Sequence, residues 1–219
     1  MDFQKSKTKQ NLARSFAAEC QEGARYQFLS KKAMGEDLQY LSAILRTLAH
    51  NEMAHATRFF QEIESHGGAE TQNIEICAGY PFSGGELAVA LKKEAENERS
   101  SAEKIYPKFA QEAREEGYDD IAELFEMVAE VERSHEHALD CVSRALQTGS
   151  LYKSKNGESS FKCDNCGIVV RAKMAPTKCP LCEMKQGYYR IDFEQIFNNN
   201  CAKKKDCGQK HFQQKTQKI

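Results

Sequence analysis

The chain has 219 residues, with 31 lysines and arginines against 32 aspartates and glutamates and a net charge of -1. That balance gives no electrostatic case for nucleic acid or for an acidic membrane surface as a partner. Hydrophobic residues make up 40% of the chain, enough for a core, but no apolar run approaches the roughly 20 residues of a membrane-spanning helix.

The N-terminus, MDFQKSKTKQN, lacks the apolar segment of a secretory signal, so a cytoplasmic location is expected. Residues from about 6 to 147 then read as helical, with apolar residues recurring at three- and four-residue steps. The first helix carries Leu12 and Phe16 and places Glu19 beside Phe16, Ala17 and Ala18; Gly35 and Asp37 end it. The second carries Leu38, Leu41, Leu45 and Leu48, then Glu52-x-x-His55, and ends at Gly67-Gly68. From His66 to Gly85 the connection is long and contains Gly79, Pro81, Gly84 and Gly85. The third helix carries Glu98 and runs through Pro107, where a kink and the loss of one backbone hydrogen bond are expected. Gly117 and Tyr118 separate it from the fourth, which opens on Asp119-Asp120, carries Glu132-x-x-His135 and closes at Thr148-Gly149-Ser150.

One pattern thus occurs twice: a lone Glu, then Glu-x-x-His 33 residues later in the first copy and 34 in the second. Three residues along a helix is about 60° around its axis and under one turn of rise, so the Glu and His of each pair can reach one metal. A single Glu-x-x-His is an ordinary solvated helix face; two copies, each preceded by a Glu, place four carboxylates and two imidazoles on four helices. That is the donor set of a two-metal site inside a four-helix bundle, and short, long, short is the connection order of a ferritin-like bundle. Glu19, Glu52, His55, Glu98, Glu132 and His135 are the candidate ligands, and carboxylates with imidazoles suit iron or manganese.

From Leu151 to Ser160 the chain turns polar, as a linker would, and 150–160 is read as one. Cys163-x-x-Cys166 and, after twelve residues, Cys179-x-x-Cys182 follow, with β-prone pieces at Ile168–Val170 and Tyr188–Ile191. Two such pairs in a chain without an export signal form a tetrahedral metal site rather than disulfides. Zinc would make it structural; iron would make it a one-electron carrier. The neighbouring two-metal site, which needs electrons, favours iron. The expected domains are therefore a bundle over 1–149, a small metal-bound β domain over 161–195, and a lysine-rich, disordered tail over 196–219.

Residues 8–191 resemble rubrerythrin, a family that joins a ferritin-like di-iron domain to a rubredoxin-like Fe(Cys)4 domain. SFAAECQEGARY, HNEMAH, IYPKFAQEAREEGYDDIAELF, VERSHEH and KCDNCGIVVRAKMAPTKCPLC carry the resemblance. It implies a cytoplasmic peroxidase that reduces hydrogen peroxide to water in oxidative stress defence. Electrons would come through the cysteine site from an NAD(P)H-dependent reductase or a rubredoxin. It also implies a homodimer in which one subunit's cysteine site lies near the partner's di-iron site, and it places Tyr26 and Tyr106 beside the iron pair.

One position departs from that pattern. The family's third helix carries Glu-x-x-Glu before Tyr-Pro; counting back from Tyr106-Pro107, the first is Glu98 and the second falls on Ser101. In the family that second glutamate binds one iron in the oxidised state and exchanges with the second-helix histidine on reduction. With Ser101 there, His55 is expected to stay bound in both states, or water to take the position. Glu94, one turn before Glu98, is read as a solvated charge. Ferritin-like Fe(II) oxidation and iron handling is the alternative function, and a zinc-bound interaction module a third. His50, His66 and His137 are read as non-ligands, with His66 facing the last carbonyls of its helix. Cys20, Cys77 and Cys141 are read as small buried or half-buried residues, and Cys201 and Cys207 as parts of the tail.

Overall fold

The computed structural model describes residues 2–68, 73–82, 84–154 and 157–191; the expected tail, with Cys201 and Cys207, lies outside them. A 3-10 turn, Phe3–Lys5, precedes α1, Lys7–Gly35. The Ser6 hydroxyl caps α1 by accepting from the Lys9 N–H at 3.0 Å, satisfying one of the orphan donors of the first turn. At the other end Asp37 takes φ 61°, the Leu38 N–H reaches the Ala33 carbonyl at 2.9 Å, and the Asp37 N–H reaches Met34 at 3.1 Å. That double closure is a Schellman stop with aspartate in the usual glycine position. The same closure recurs around Gly117 and Gly149, so three of the breakers legible in the sequence act by one mechanism.

α2 spans Gln39–Gly67. The contacts Gln4–Gly67, Glu19–His55 and Ser30–Ser42 run in opposite directions along the two helices, so α1 and α2 form an antiparallel hairpin. After the long connection, α3 covers Leu87–Ser100, a π-helical turn covers Ser101–Ile105, and α4 covers Tyr106–Glu116. The disturbance expected at Pro107 therefore sits just upstream of it. The π turn lets the Tyr106 N–H reach back to the Ser101 carbonyl, and Pro107 falls in the first turn of α4, where its missing N–H costs nothing. α5, Asp119–Gln147, packs along α3 and α4 through pairs such as Lys92–Asp140 and Arg114–Glu126.

Two apolar clusters fill the bundle. One gathers Leu12, Phe59, Tyr106, Ile121 and Phe125; the other gathers Tyr26, Leu41, Leu45, Leu91, Leu139 and Val142. Between them lies a layer of carboxylates.

The second cluster continues into the small domain through Leu151, Tyr152, Phe161, Cys163, Tyr189 and Ile191. There β1, Ser159–Lys162, pairs antiparallel with β2, Val169–Ala172, in the register Phe161 to Val170. The segment expected as a linker is partly built into this domain. Leu151 and Tyr152 are buried, the Tyr152 carbonyl accepts from the Ala175 N–H at 2.9 Å, and the Ser154 N–H donates to Lys173 at 2.8 Å. The β-prone piece near 188–191 is not a strand: Gln186–Tyr188 is a 3-10 turn, and Tyr189 pairs only through an isolated bridge to Cys163. The small domain rests on the α1–α2 turn. Lys185 pairs with Asp37 at 2.6 Å, and a Cβ on Gly187 would overlap the Asp37 carbonyl. Among the described residues, no helix is long and apolar enough to cross a membrane.

Candidate metal centres

Each of the four helical rods brings its expected side chain to the central layer. Glu19, Glu52, Glu98 and Glu132 are wholly buried, His135 nearly so, and the His55 side chain is 13% exposed. They form two overlapping groups whose candidate ligand atoms lie within 4.8 Å of one another. The first is Glu19, Glu52, His55 and Glu132; the second is Glu52, Glu98, Glu132 and His135. Glu52 and Glu132 are common to both, as bridging carboxylates must be.

The histidines confirm the pairing by where they point. His55 Nδ1 lies 3.2 Å from Glu19 Oε2, 3.1 Å from Glu52 Oε2 and 3.1 Å from Glu132 Oε1. His135 Nδ1 lies 2.9 Å from Glu52 Oε1, 3.0 Å from Glu132 Oε2 and 4.0 Å from Glu98 Oε1. Each imidazole thus faces both shared carboxylates and one private carboxylate, and the rings stack with centroids 6.0 Å apart. Tyr26 on α1 donates to Glu98 on α3, and Tyr106 on α4 donates to Glu19 on α1. Each hairpin's tyrosine therefore serves the other hairpin's carboxylate.

Four carboxylates in one dry layer repel each other and lose hydration, a cost that only cations or protons offset. Burial, then the charge of Glu132, pushes Glu98 up; burial pushes Glu19 up against the opposing hydrogen bond to His55. Burial works on Glu132 in the same direction, but hydrogen bonds from His135 and His55 outweigh it and hold Glu132 at about 2. Burial alone would lower both histidines, yet their carboxylate partners raise His55 to about 12 and His135 to about 9. Without metal, protons on the imidazoles stand where cations would go. Among the buried oxygens, Glu52 Oε1 and Glu132 Oε1 are met only by the imidazole nitrogens above, and Glu98 Oε2 by no hydrogen-bond donor. Convergent acceptors with unused lone pairs fit a pair of divalent ions.

Glu94 is not solvated: it is 2% exposed, and both its oxygens lie 3.1 Å from Arg25 Nε, which reaches across from α1. Arg25 also donates to Glu22, at 3.1 Å, and Glu22 is itself buried. Burial first, and then the charge of Glu132, lift Glu22 to about 8 against the opposing pull of Arg25. This Glu22–Arg25–Glu94 network escaped the sequence reading. Its one signal was position: Glu22 lies three residues after Glu19, on the same helix face. Ser101 is buried at the start of the π turn.

In the small domain Cys163 Sγ and Cys182 Sγ are 3.8 Å apart, and Cys166 Sγ and Cys179 Sγ 3.6 Å. Sulfurs bound tetrahedrally at about 2.3 Å would be separated by about 3.8 Å, so the four thiols are spaced for one ion. Each pair sits on a matching turn. The Gly167 N–H bonds to the Cys163 carbonyl at 2.9 Å and the Glu183 N–H to Cys179 at 3.0 Å, with φ values of 79° and 59°. Burial raises the Cys179 thiol, but N–H groups of Cys182 and Leu181 aimed at its sulfur bring it down to about 6. Such a sulfur is a ready thiolate ligand.

Of the residues set aside, His50 is exposed and His137 half-buried. His66 Nδ1 faces the Glu62 carbonyl at 3.1 Å, as expected at a helix end. Cys20 is half-buried and Cys141 buried, but Cys77 is exposed.

Comparison with known proteins agrees with both centres. The family model described as rubrerythrin matches residues 10–143, and that of the rubrerythrin rubredoxin-like domain matches 161–190. The chain is similar to a rubrerythrin of Clostridium perfringens, with 35% identity over 187 residues, 85% of this chain and 94% of the relative. Among solved structures, nigerythrin in a partially reduced state aligns with a TM-score of 0.55 and 19% identity over 84% of this chain and 86% of its own. The Desulfovibrio desulfuricans bacterioferritin, a di-iron protein by its description, aligns with a TM-score of 0.58 and 24% identity over 66% and 82%. At these identities the two structures show the fold.

Proposed function

Since the chain belongs to the rubrerythrin family, we propose that it is an oxidoreductase that reduces hydrogen peroxide to water. Glu19, Glu52, His55, Glu98, Glu132 and His135 would hold two irons, and Cys163, Cys166, Cys179 and Cys182 one more. The observation that carries this reading is the pair of donor groups sharing Glu52 and Glu132, in one chain with a four-cysteine site. The overall change takes two electrons and two protons per peroxide and yields two waters. The two irons held by the carboxylates and imidazoles would supply the two electrons, and an iron at the cysteine site would restore them singly.

The chain's own residues orient and shield this chemistry. Tyr26 and Tyr106 fix Glu98 and Glu19, and Phe59 and Phe125 stack on Tyr106 with centroids 5.8 and 6.0 Å away, making one wall of the site dry. A dry wall strengthens each electrostatic contact inside it. The donor would be an NAD(P)H-dependent reductase or a rubredoxin, the assembly a homodimer, and the setting cytoplasmic oxidative stress defence.

An iron–thiolate visible spectrum should be present, which zinc in the cysteine site would abolish. Anaerobically reduced protein mixed with hydrogen peroxide should then oxidise at both sites faster than it does in air. Slow oxidation by peroxide with rapid oxidation of added Fe(II) in air would overturn the peroxidase and favour iron handling, the reading that Ser101 supports.

A further inference from the structure

Building on the di-iron reading, we infer that Glu22 is a seventh ligand, and fifth carboxylate, of the bundle site, held off by Arg25 and available to the ion of Glu98 and His135. The contacts Thr8–Glu116, Asn11–Glu112, Glu19–Tyr106 and Tyr26–Glu98 show α1 running antiparallel to the α3–α4 rod in a steady register. That register puts Glu22 opposite Ser101 and Ala102. The two helices also repeat one another. Glu19 and Glu98 are the private carboxylates of the two groups, and Glu22 and Ser101 each follow by three residues. At this pair of positions the halves differ: one offers a carboxylate and the other a hydroxyl.

Placement along α1 selects the ion. Glu19, Glu22 and Tyr26 follow at helical spacing on one face. Glu19 belongs to the His55 group and Tyr26 bonds Glu98 of the His135 group; Glu22 lies between them on α1, near enough for its charge to act on Glu98. In the described conformation Glu22 is 3.1 Å from Arg25 Nη2. Arg25 also holds both oxygens of Glu94 and so keeps a partner when Glu22 turns inward.

Charge supplies the reason to turn. The four carboxylates of the layer balance two divalent ions, and two trivalent ions exceed them by two charges. Glu22 and Glu94 share one guanidinium, so Glu22 can leave Arg25 without stranding that cation. Bringing the Glu22 carboxylate onto the ion, with its proton released, places a negative charge where oxidation creates the need, and it leaves the His55 ion with a different environment.

The test uses the full chain loaded with iron, in dithionite-reduced and peroxide-oxidised forms, with Glu22→Gln as an uncharged isostere. Crystal structures should show the Glu22 carboxylate on Arg25 when reduced and bonded to the His135-side iron when oxidised. Mössbauer spectra of the oxidised protein should resolve two unequal irons that become alike in E22Q. The midpoint potential of the pair should shift upward in E22Q, because the oxidised state loses an anion. Two bundle irons with Glu22 on Arg25 in both states, and an unchanged potential in E22Q, would overturn the inference alone. Fewer than two bundle irons would overturn the di-iron reading and this inference with it.

Discussion

His55 and His135 show how far a buried site shifts its own chemistry. With ordinary values of 6.5, they are raised to about 12 and about 9 by the carboxylates they face, despite burial. Metal ligation needs neutral imidazoles, so uptake of Fe(II) by the metal-free chain at neutral pH should release protons. An indicator dye in weak buffer reads this directly, and uptake without acidification would contradict the assignment of these nitrogens as ligands. The same shifts fix the pH dependence of the metal-free fold. The raised His135 contributes stability present in full below about 6.5 and lost as pH rises through about 9. Glu132, lowered from 4.5 to about 2, contributes stability present above 4.5 and lost as pH falls towards 2. Denaturation midpoints of the metal-free chain should therefore fall on both sides of mildly acidic pH. The six bundle side chains and four cysteines that the structure gathers into clusters were legible in the sequence, because their spacing is set by helix and turn geometry within one segment. The burial of Glu94 was not, because its partner Arg25 lies 69 residues away along the chain.

The π turn at Ser101–Ile105 is the element most specific to this rod. Glu98 precedes Tyr106 by eight residues, whereas Glu19 precedes Tyr26 by seven, and the extra residue is absorbed in the turn. A π turn takes up such an insertion while keeping the flanking helices in phase, which is why Tyr106 still meets Glu19. Deleting the exposed Glu103 should restore regular α-helix and leave both bundle irons bound. It should also carry Pro107 into a helix interior, lowering stability by about 3 kcal/mol. Adding Pro107→Ala should recover most of that loss in urea titrations. A deletion variant that binds no iron would show that the turn itself shapes the site. The sequence signalled a disturbance through Pro107, but the backbone's answer to it depends on α5 packing alongside and had no local signature.

At the scale of the whole molecule, the small domain is seated against the end of the bundle, and Gly187 sets how closely. Its Cα meets the Asp37 backbone where any Cβ would overlap the carbonyl, next to the Lys185–Asp37 ion pair. Gly187→Ala should lift the small domain from the α1–α2 turn while leaving its four cysteines able to bind iron. The expected result is an unchanged thiolate spectrum with faster proteolytic cleavage in 150–160; unaltered cleavage would mean that the contact is not what holds the domain. The four-helix class was legible from periodicity and breakers. The docking was not, since the sequence marks neither Gly187 nor Asp37 as partners. The crossed tyrosines have a consequence for the order of assembly. Because Tyr26 is needed at Glu98 and Tyr106 at Glu19, neither hairpin can mature its half of the layer by itself. The site is a clasp closed only once both hairpins have met, so newly made chains should acquire iron late, after the segment that joins the hairpins has brought them together.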